Sequence, residues 1–138
     1  MNAQDIGLCE SLQPASSMVL VIDDDPAVRG ALQFSLEIEG FSVRCYASPA
    51  EFLAASDLPG RACLVVDQNL PGISGLDMID RLPLEHKLNM PAVLITSYPS
   101  RTMRNRACAA GVPIVEKPLM GSSLSDAILK ALAPKRCD

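Results

Sequence analysis

Acidic, hydroxyl and basic side chains closely follow the short apolar runs of this chain. They are Asp23, Asp24 and Asp25, then Asp67, then Thr96, and finally Lys117. Clustered carboxylates repel one another unless one is protonated or a hard cation such as Mg²⁺ binds between them. A carboxylate can also act as a nucleophile toward phosphorus, while a hydroxyl and a lysine stabilise the negative charge that develops there. These residue types therefore predict the capture of a phosphoryl group on an aspartate, with a divalent ion assisting.

Five apolar runs would position these side chains. The first, third and fourth runs are continuous and rich in branched residues, as in strands that are buried on both faces of a parallel sheet. The second run alternates between apolar and polar residues, and the fifth contains Pro113, so these two are predicted to be edge strands. The runs are residues 18–22, 41–45, 62–66, 92–95 and 112–115.

Helical patterns alternate with the apolar runs. Asp25 and Pro26 have the types expected at the cap and first position of one helix, and Ser48 and Glu51 have capping-box spacing at the next. Three further stripes lie within residues 76–82, 101–110 and 124–132. The alternation predicts an α/β protein, namely a doubly wound five-stranded parallel sheet of order 2-1-3-4-5, which is the flavodoxin-like (βα)₅ fold.

The predicted strand order determines which polar residues meet. In open parallel sheets, ligands bind beyond the carboxyl ends of the strands, near the point where the strand order reverses. The first and third strands are neighbours in this order, so Asp23, Asp24 and Asp67 are expected to converge at one site.

Length, charge and cysteine content exclude several classes of protein. The chain has 138 residues, which suits one domain at 18–133 with a leader at 1–17 and a tail at 134–138. Its net charge of −4 is unlike that of a protein that binds a phosphate backbone, and its apolar runs are too short to span a membrane. Its five cysteines form no CxxC pair, which favours a reduced, cytoplasmic setting.

Four motifs together resemble the receiver domain of bacterial two-component response regulators, over about residues 18–133. The motifs are Val19–Asp25, Leu64–Gly75, Leu94–Ser97 and Glu116–Pro118. Each motif lies at a predicted strand end, and the four occur in the family's order. The stretch Ala47–Leu53 is similar to the subgroup of nitrogen-fixation and nitrate regulators.

The resemblance assigns roles residue by residue. It implies that Asp67 accepts a phosphoryl group from a sensor histidine kinase, that Thr96 is the switch hydroxyl, and that Lys117 contacts the phosphoryl oxygens. It also implies a Mg²⁺ site, with Mn²⁺ as the alternative ion, formed by Asp23, Asp24, Asp67 and the backbone carbonyl of Asn69. Such a protein is not an enzyme, apart from self-phosphorylation by small donors and self-dephosphorylation. A cis peptide bond is expected between Lys117 and Pro118.

The output is expected to be a protein–protein interaction, because no DNA-binding domain follows the predicted receiver. The resemblance implies an unknown output partner and a monomer or a phosphorylation-dependent dimer. The acidic net charge and the short apolar runs predict no direct contact with nucleic acid or membrane. The dimer would use the helix after strand 4, strand 5 and the helix after strand 5. One departure affects this surface: Ile114 stands where receivers usually carry an aromatic residue.

Other interpretations remain open from the sequence. A receiver fold could serve as a scaffold without phosphorylation, and the Asp23-x-Asp25 spacing also resembles phosphatases of the haloacid dehalogenase type. Those phosphatases need a later acidic pair at a strand end, which residues 92–118 lack. Gln68 and Tyr98 are predicted to flank the phosphoryl group, and His86 is predicted to be exposed in a polar loop.

Overall fold

The computed structural model describes residues 17–119 and 122–133, so the predicted tail and all of the predicted leader except Ser17 lie outside the described residues. Strands and helices alternate along the chain. The strands are β1 (Met18–Ile22), β2 (Ser42–Tyr46), β3 (Cys63–Asp67), β4 (Ala92–Thr96) and β5 (Ile114–Glu116). The helices are α1 (Pro26–Ile38), α2 (Pro49–Ala54), α3 (Gly75–Asp80), α4 (Leu84–Asn89), α5 (Arg101–Ala110) and α6 (Ser123–Leu132).

The five strands form one parallel sheet in the order β2-β1-β3-β4-β5, which confirms the predicted fold. The register aligns the carboxyl ends of the inner strands. Ile22 pairs with Val66 across β1 and β3, so the residues that follow them, Asp23 and Asp67, are neighbours. On the other side of β3, Thr96 of β4 pairs with Glu116 of β5, which brings Lys117 to the same edge.

The core lies on both faces of the sheet, because the side chains of each strand alternate between the two faces. Inner strands β1, β3 and β4 are almost entirely buried, whereas β2 is only half-buried and β5 is short. The edge positions predicted for the second and fifth strands are therefore confirmed. Phe52 of α2 packs into the core on one face, and Ile128 of α6 packs into it on the other.

Helix starts follow the predicted chemistry at two positions. The Asp25 carboxylate accepts a hydrogen bond from the Ala27 amide at 2.9 Å at the start of α1. The Ser48 hydroxyl accepts one from the Glu51 amide at 3.1 Å at the start of α2. Both bonds satisfy amides that have no partner within a helix. Asp25 is thus a helix cap, as predicted. Among the described residues, the longest helices remain too short and too polar to cross a lipid bilayer.

The segment after β3 differs from the prediction, because it forms two short helices instead of one. Pro83 lacks an amide hydrogen, so α3 ends before it, and its carbonyl accepts from the amides of His86 and Lys87 as α4 begins. The prediction that His86 lies in an exposed polar loop is therefore wrong. His86 is half-buried on α4, and its ring meets the Phe52 ring edge-on at a centroid distance of 6.2 Å.

Candidate functional site

Three carboxylates converge at the carboxyl edge of the sheet. Asp23 and Asp24 follow β1, and Asp67 ends β3. One carboxylate oxygen from each of the three lies within 4.8 Å of the others. Asp23 is 2% exposed and Asp67 is 5% exposed, whereas Asp24 is open to solvent. The structure thus brings together the carboxylates that the sequence predicted to meet, and two of them are buried.

The backbone and half of the carboxylate of Asp23 are held in place. Its carbonyl accepts a hydrogen bond from Arg29 Nη1 at 2.8 Å, and its Oδ1 accepts one from the Asp25 amide at 2.9 Å. The other oxygen, Oδ2, is buried and has no hydrogen-bond partner within the described part of the chain. A buried carboxylate oxygen without a donor is costly in water-free surroundings and is a suitable ligand for a hard cation. The site therefore fits Mg²⁺.

Burial has the largest effect on the pKa of the Asp23 carboxyl. Loss of solvent raises the pKa of its carboxyl above the usual 3.8, and the charge of Asp67 raises it further, while the hydrogen bond from the Asp25 amide opposes both. Because the folded state holds this proton more tightly than the unfolded state, Asp23 reduces stability as pH rises above about 3.8.

We expect the Asp23→Asn variant to be more stable than the wild type at pH 7 in EDTA, by about 1 kcal/mol, because the amide removes a buried charge. The difference should shrink toward acid pH, where the wild-type carboxyl is protonated. Urea unfolding at several pH values measures both effects. Asp57→Asn, at an exposed carboxylate, should show neither effect. A difference that is independent of pH would contradict the role of the charge.

Lys117 supplies a positive charge next to the carboxylates. Its Nζ lies 3.3 Å from Asp67 Oδ1, and its amide donates to the Thr96 carbonyl at 2.9 Å. The peptide bond between Lys117 and Pro118 is cis, as predicted. Thr96 ends β4 and is 2% exposed. Lys117 follows β5 and Asp67 ends β3, with β4 between these strands. The lysine is therefore close enough to pair with a group attached to Asp67.

The loop after β3 borders the site. Asn69 is exposed on this loop and, with Asp24 and Asp77, lines an open cleft of about 570 Å³. Gly72 has a φ of +81°, a left-handed conformation that favours glycine. Asn69 and Asp24 thus line the same open space.

Whether Gln68 and Tyr98 flank a phosphoryl group stays a prediction, and their present contacts are as follows. Gln68 Oε1 accepts from the Leu76 amide at 3.0 Å, at the start of α3. Tyr98 is 91% exposed. Ile114, at the position where an aromatic residue is usual, is half-buried, lies opposite Leu94 in the sheet and packs against the core.

Sequence reasoning did not find an ion pair network that joins α3 to α5. Arg106 of α5 donates to Asp77 at 2.5 Å and to Asp80 at 2.7 Å. Arg104 of α5 also pairs with Glu116 at 3.0 Å, at the end of β5. The partners are 12 to 29 residues apart in sequence, so no local pattern could have indicated these pairs.

The sequence of this chain matches a known protein family and is similar to known regulatory proteins. The family "Response regulator receiver domain" matches residues 19–129. The chain is 33% identical over 114 residues to the transcriptional regulatory protein FixJ of Rhizobium meliloti, and 35% identical over 120 residues to FixJ of Azorhizobium caulinodans. These alignments cover 82% and 86% of this chain but 55% and 56% of the relatives. The chain thus spans about half the length of the curated relatives it matches.

Solved structures of similar fold include receiver domain proteins. The crystal structure of FixJ-N is 31% identical, with a TM-score of 0.72, and the match covers 86% of this chain and 98% of that one. The chemotaxis protein CheY4 of Vibrio cholerae has a TM-score of 0.74 at 23% identity, covering 84% and 98%, a likeness that concerns the fold alone. The resemblance drawn from the four sequence motifs is confirmed.

Proposed function

This chain belongs to the response regulator receiver domain family of two-component systems, and we propose that it takes up a phosphoryl group on Asp67 from a sensor histidine kinase. One arrangement carries the proposal: the buried Asp67 carboxylate lies beside Lys117 Nζ and within a group of three carboxylates. This arrangement combines a nucleophile, a cation for the phosphoryl oxygens and a set of ligands for a metal ion.

The proposed transfer follows from these positions. An Asp67 carboxylate oxygen attacks phosphorus, a new O–P bond forms, and the P–N bond to the kinase histidine breaks, so that the imidazole leaves with the bonding electrons. Lys117 then pairs with a phosphoryl oxygen in addition to Asp67. The Thr96 hydroxyl donates to another phosphoryl oxygen. Attack by water on the phosphorus returns free Asp67 and inorganic phosphate, which ends the signal without making the chain an enzyme that turns over other substrates.

The metal ligands in this proposal are the carboxylates of Asp23, Asp24 and Asp67 and the backbone carbonyl of Asn69. Mg²⁺ bound there, or Mn²⁺ as the alternative, would offset the negative charge of the carboxylates and of the incoming phosphoryl oxygens. The unpartnered Asp23 Oδ2 supports this ligand set because it is a buried acceptor without a donor within the described part of the chain.

The proposed output is a change at the surface formed by α5, β5 and α6, read by an output partner or by a second copy of the chain. Thr96 leads directly into residues 97–100 and then α5, so a change in the orientation of its hydroxyl would first alter the conformation of these residues.

The cysteines that the structure describes, Cys45, Cys63 and Cys108, are free thiols, which supports a cytoplasmic setting.

Beryllofluoride with Mg²⁺, a mimic of the bound phosphoryl group, is expected to shift the NMR signals of Thr96 and residues 97–104. We expect smaller shifts at Ile114, because a branched aliphatic side chain has no ring to reorient. Measuring the association state of the same samples would show whether the chain dimerises, as proposed for the surface of α5, β5 and α6. Unmoved signals at Thr96 and residues 97–104 would instead support a scaffold that works without phosphorylation, and turnover of phosphate monoesters would support a phosphatase.

A further inference from the structure

Gln68, which follows β3, makes three hydrogen bonds, one to β4 and two to the start of α3. Its amide donates to the Ile95 carbonyl of β4 at 2.9 Å, which fixes its backbone to the sheet. Its carbonyl accepts from the Gly75 amide at 3.0 Å, and its side-chain Oε1 accepts from the Leu76 amide at 3.0 Å. One residue thus satisfies the first two amides of α3, which have no partner within the helix.

The remaining contacts at this junction are equally close. A Cβ atom on Gly75 would lie 2.7 Å from the Asp67 carbonyl oxygen and 3.1 Å from Gln68 Cα, so the start of α3 is in contact with the end of β3. The Ser74 hydroxyl accepts from the Asp77 amide at 3.1 Å and completes the cap. Hydrogen bonds of Gln68 and Ser74 therefore hold the two ends of the loop of residues 69–74 against the start of α3.

We propose that Gln68 is a positioning residue for the divalent cation. Asn69, whose backbone carbonyl is a proposed ligand, follows Gln68 directly, and Asp67 precedes it. Without the side-chain bond, the loop would be closed by backbone contacts alone, and the Leu76 amide, which is partly buried, would need another acceptor. The bond thus restrains the loop that begins at Asn69 and limits how far the Asn69 carbonyl can move relative to Asp67. This inference rests on the proposed function, because it concerns the same metal site.

The test compares the wild-type chain with Gln68→Met, which keeps the length of the side chain but removes the acceptor. Mg²⁺ affinity is measured by calorimetry, and amide exchange is measured at Leu76. We expect about tenfold weaker Mg²⁺ binding, the usual effect of removing a group that orients a ligand, and faster exchange at Leu76. The matched control is Gln33→Met on α1, whose side-chain amide contacts Glu37 at 3.1 Å, and it should change neither quantity.

A second variant, Gln68→Glu, keeps an acceptor for the Leu76 amide, and it should retain slow exchange there. Mg²⁺ binding by Gln68→Met that equals that of the wild type would overturn the inference. Exchange that becomes faster by the same factor throughout the core would also overturn it, because it would indicate a merely structural role. Wild-type protein that binds no Mg²⁺ would overturn the proposed function and this inference together, whereas equal binding by both proteins overturns the inference alone.

Discussion

The Asp67→Asn variant is expected to take up no phosphoryl group from acetyl phosphate and Mg²⁺ under conditions in which the wild type is labelled. An amide is a poor nucleophile toward phosphorus, and it has lost the charge that pairs with Lys117 at 3.3 Å. Intact-mass measurement of both proteins gives the extent of labelling. Asparagine has nearly the same shape as aspartate, so the buried position should accept it, and circular dichroism would verify the fold.

The matched control for this experiment is Asp57→Asn, which changes a carboxylate whose side chain is 83% exposed and outside the group of three. Its labelling should equal that of the wild type. Adding EDTA should suppress labelling in both labelled proteins, since the carboxylates then lack a cation. Persistent labelling of the Asp67→Asn variant would show that the acceptor is a different residue.

The Gly75→Ala variant is expected to lose about 1–3 kcal/mol of the free energy of unfolding, because its Cβ would lie 2.7 Å from the Asp67 carbonyl oxygen and 2.8 Å from Leu94 Cδ1. The Leu94 side chain can rotate, but the carbonyl belongs to the backbone of β3 and cannot move without shifting the site. The same substitution should therefore also weaken Mg²⁺ binding. Urea unfolding measures the first effect and calorimetry the second.

Gly30 of α1 provides a control of opposite sign. A Cβ there would meet nothing within 4 Å, and the residue is exposed in the middle of a helix. Gly30→Ala should therefore stabilise the protein by roughly 0.5–1 kcal/mol, because alanine loses less conformational freedom on folding. If both variants were destabilised equally, the close approach at Gly75 would not be the cause.

The features that could be predicted are those that depend on residues close together in sequence or on the order of the strands. The inner strands could be identified because a continuous run such as Val19–Ile22 is typical of a strand that is buried on both faces. The cap at Asp25 depends on residues next to it in sequence. The convergence of Asp23 with Asp67 followed from strand order, which the edge-like character of two strands had already indicated. The exception is the segment after Pro83, where the predicted polar loop around His86 forms helix α4 instead.

Residue patterns alone thus predict the parallel sheet, its strand order and the carboxylates at its edge, because each depends on periodicity or on the position of a residue at a strand end. Three features depend on the folded chain: within the described residues Asp23 Oδ2 has no hydrogen-bond partner, the Leu76 amide donates to Gln68 at the start of α3, and Arg106 joins α3 to α5. These contacts depend on how helices pack against the sheet. Packing brings together residues that are far apart in the chain, at distances that no local pattern of residue types encodes.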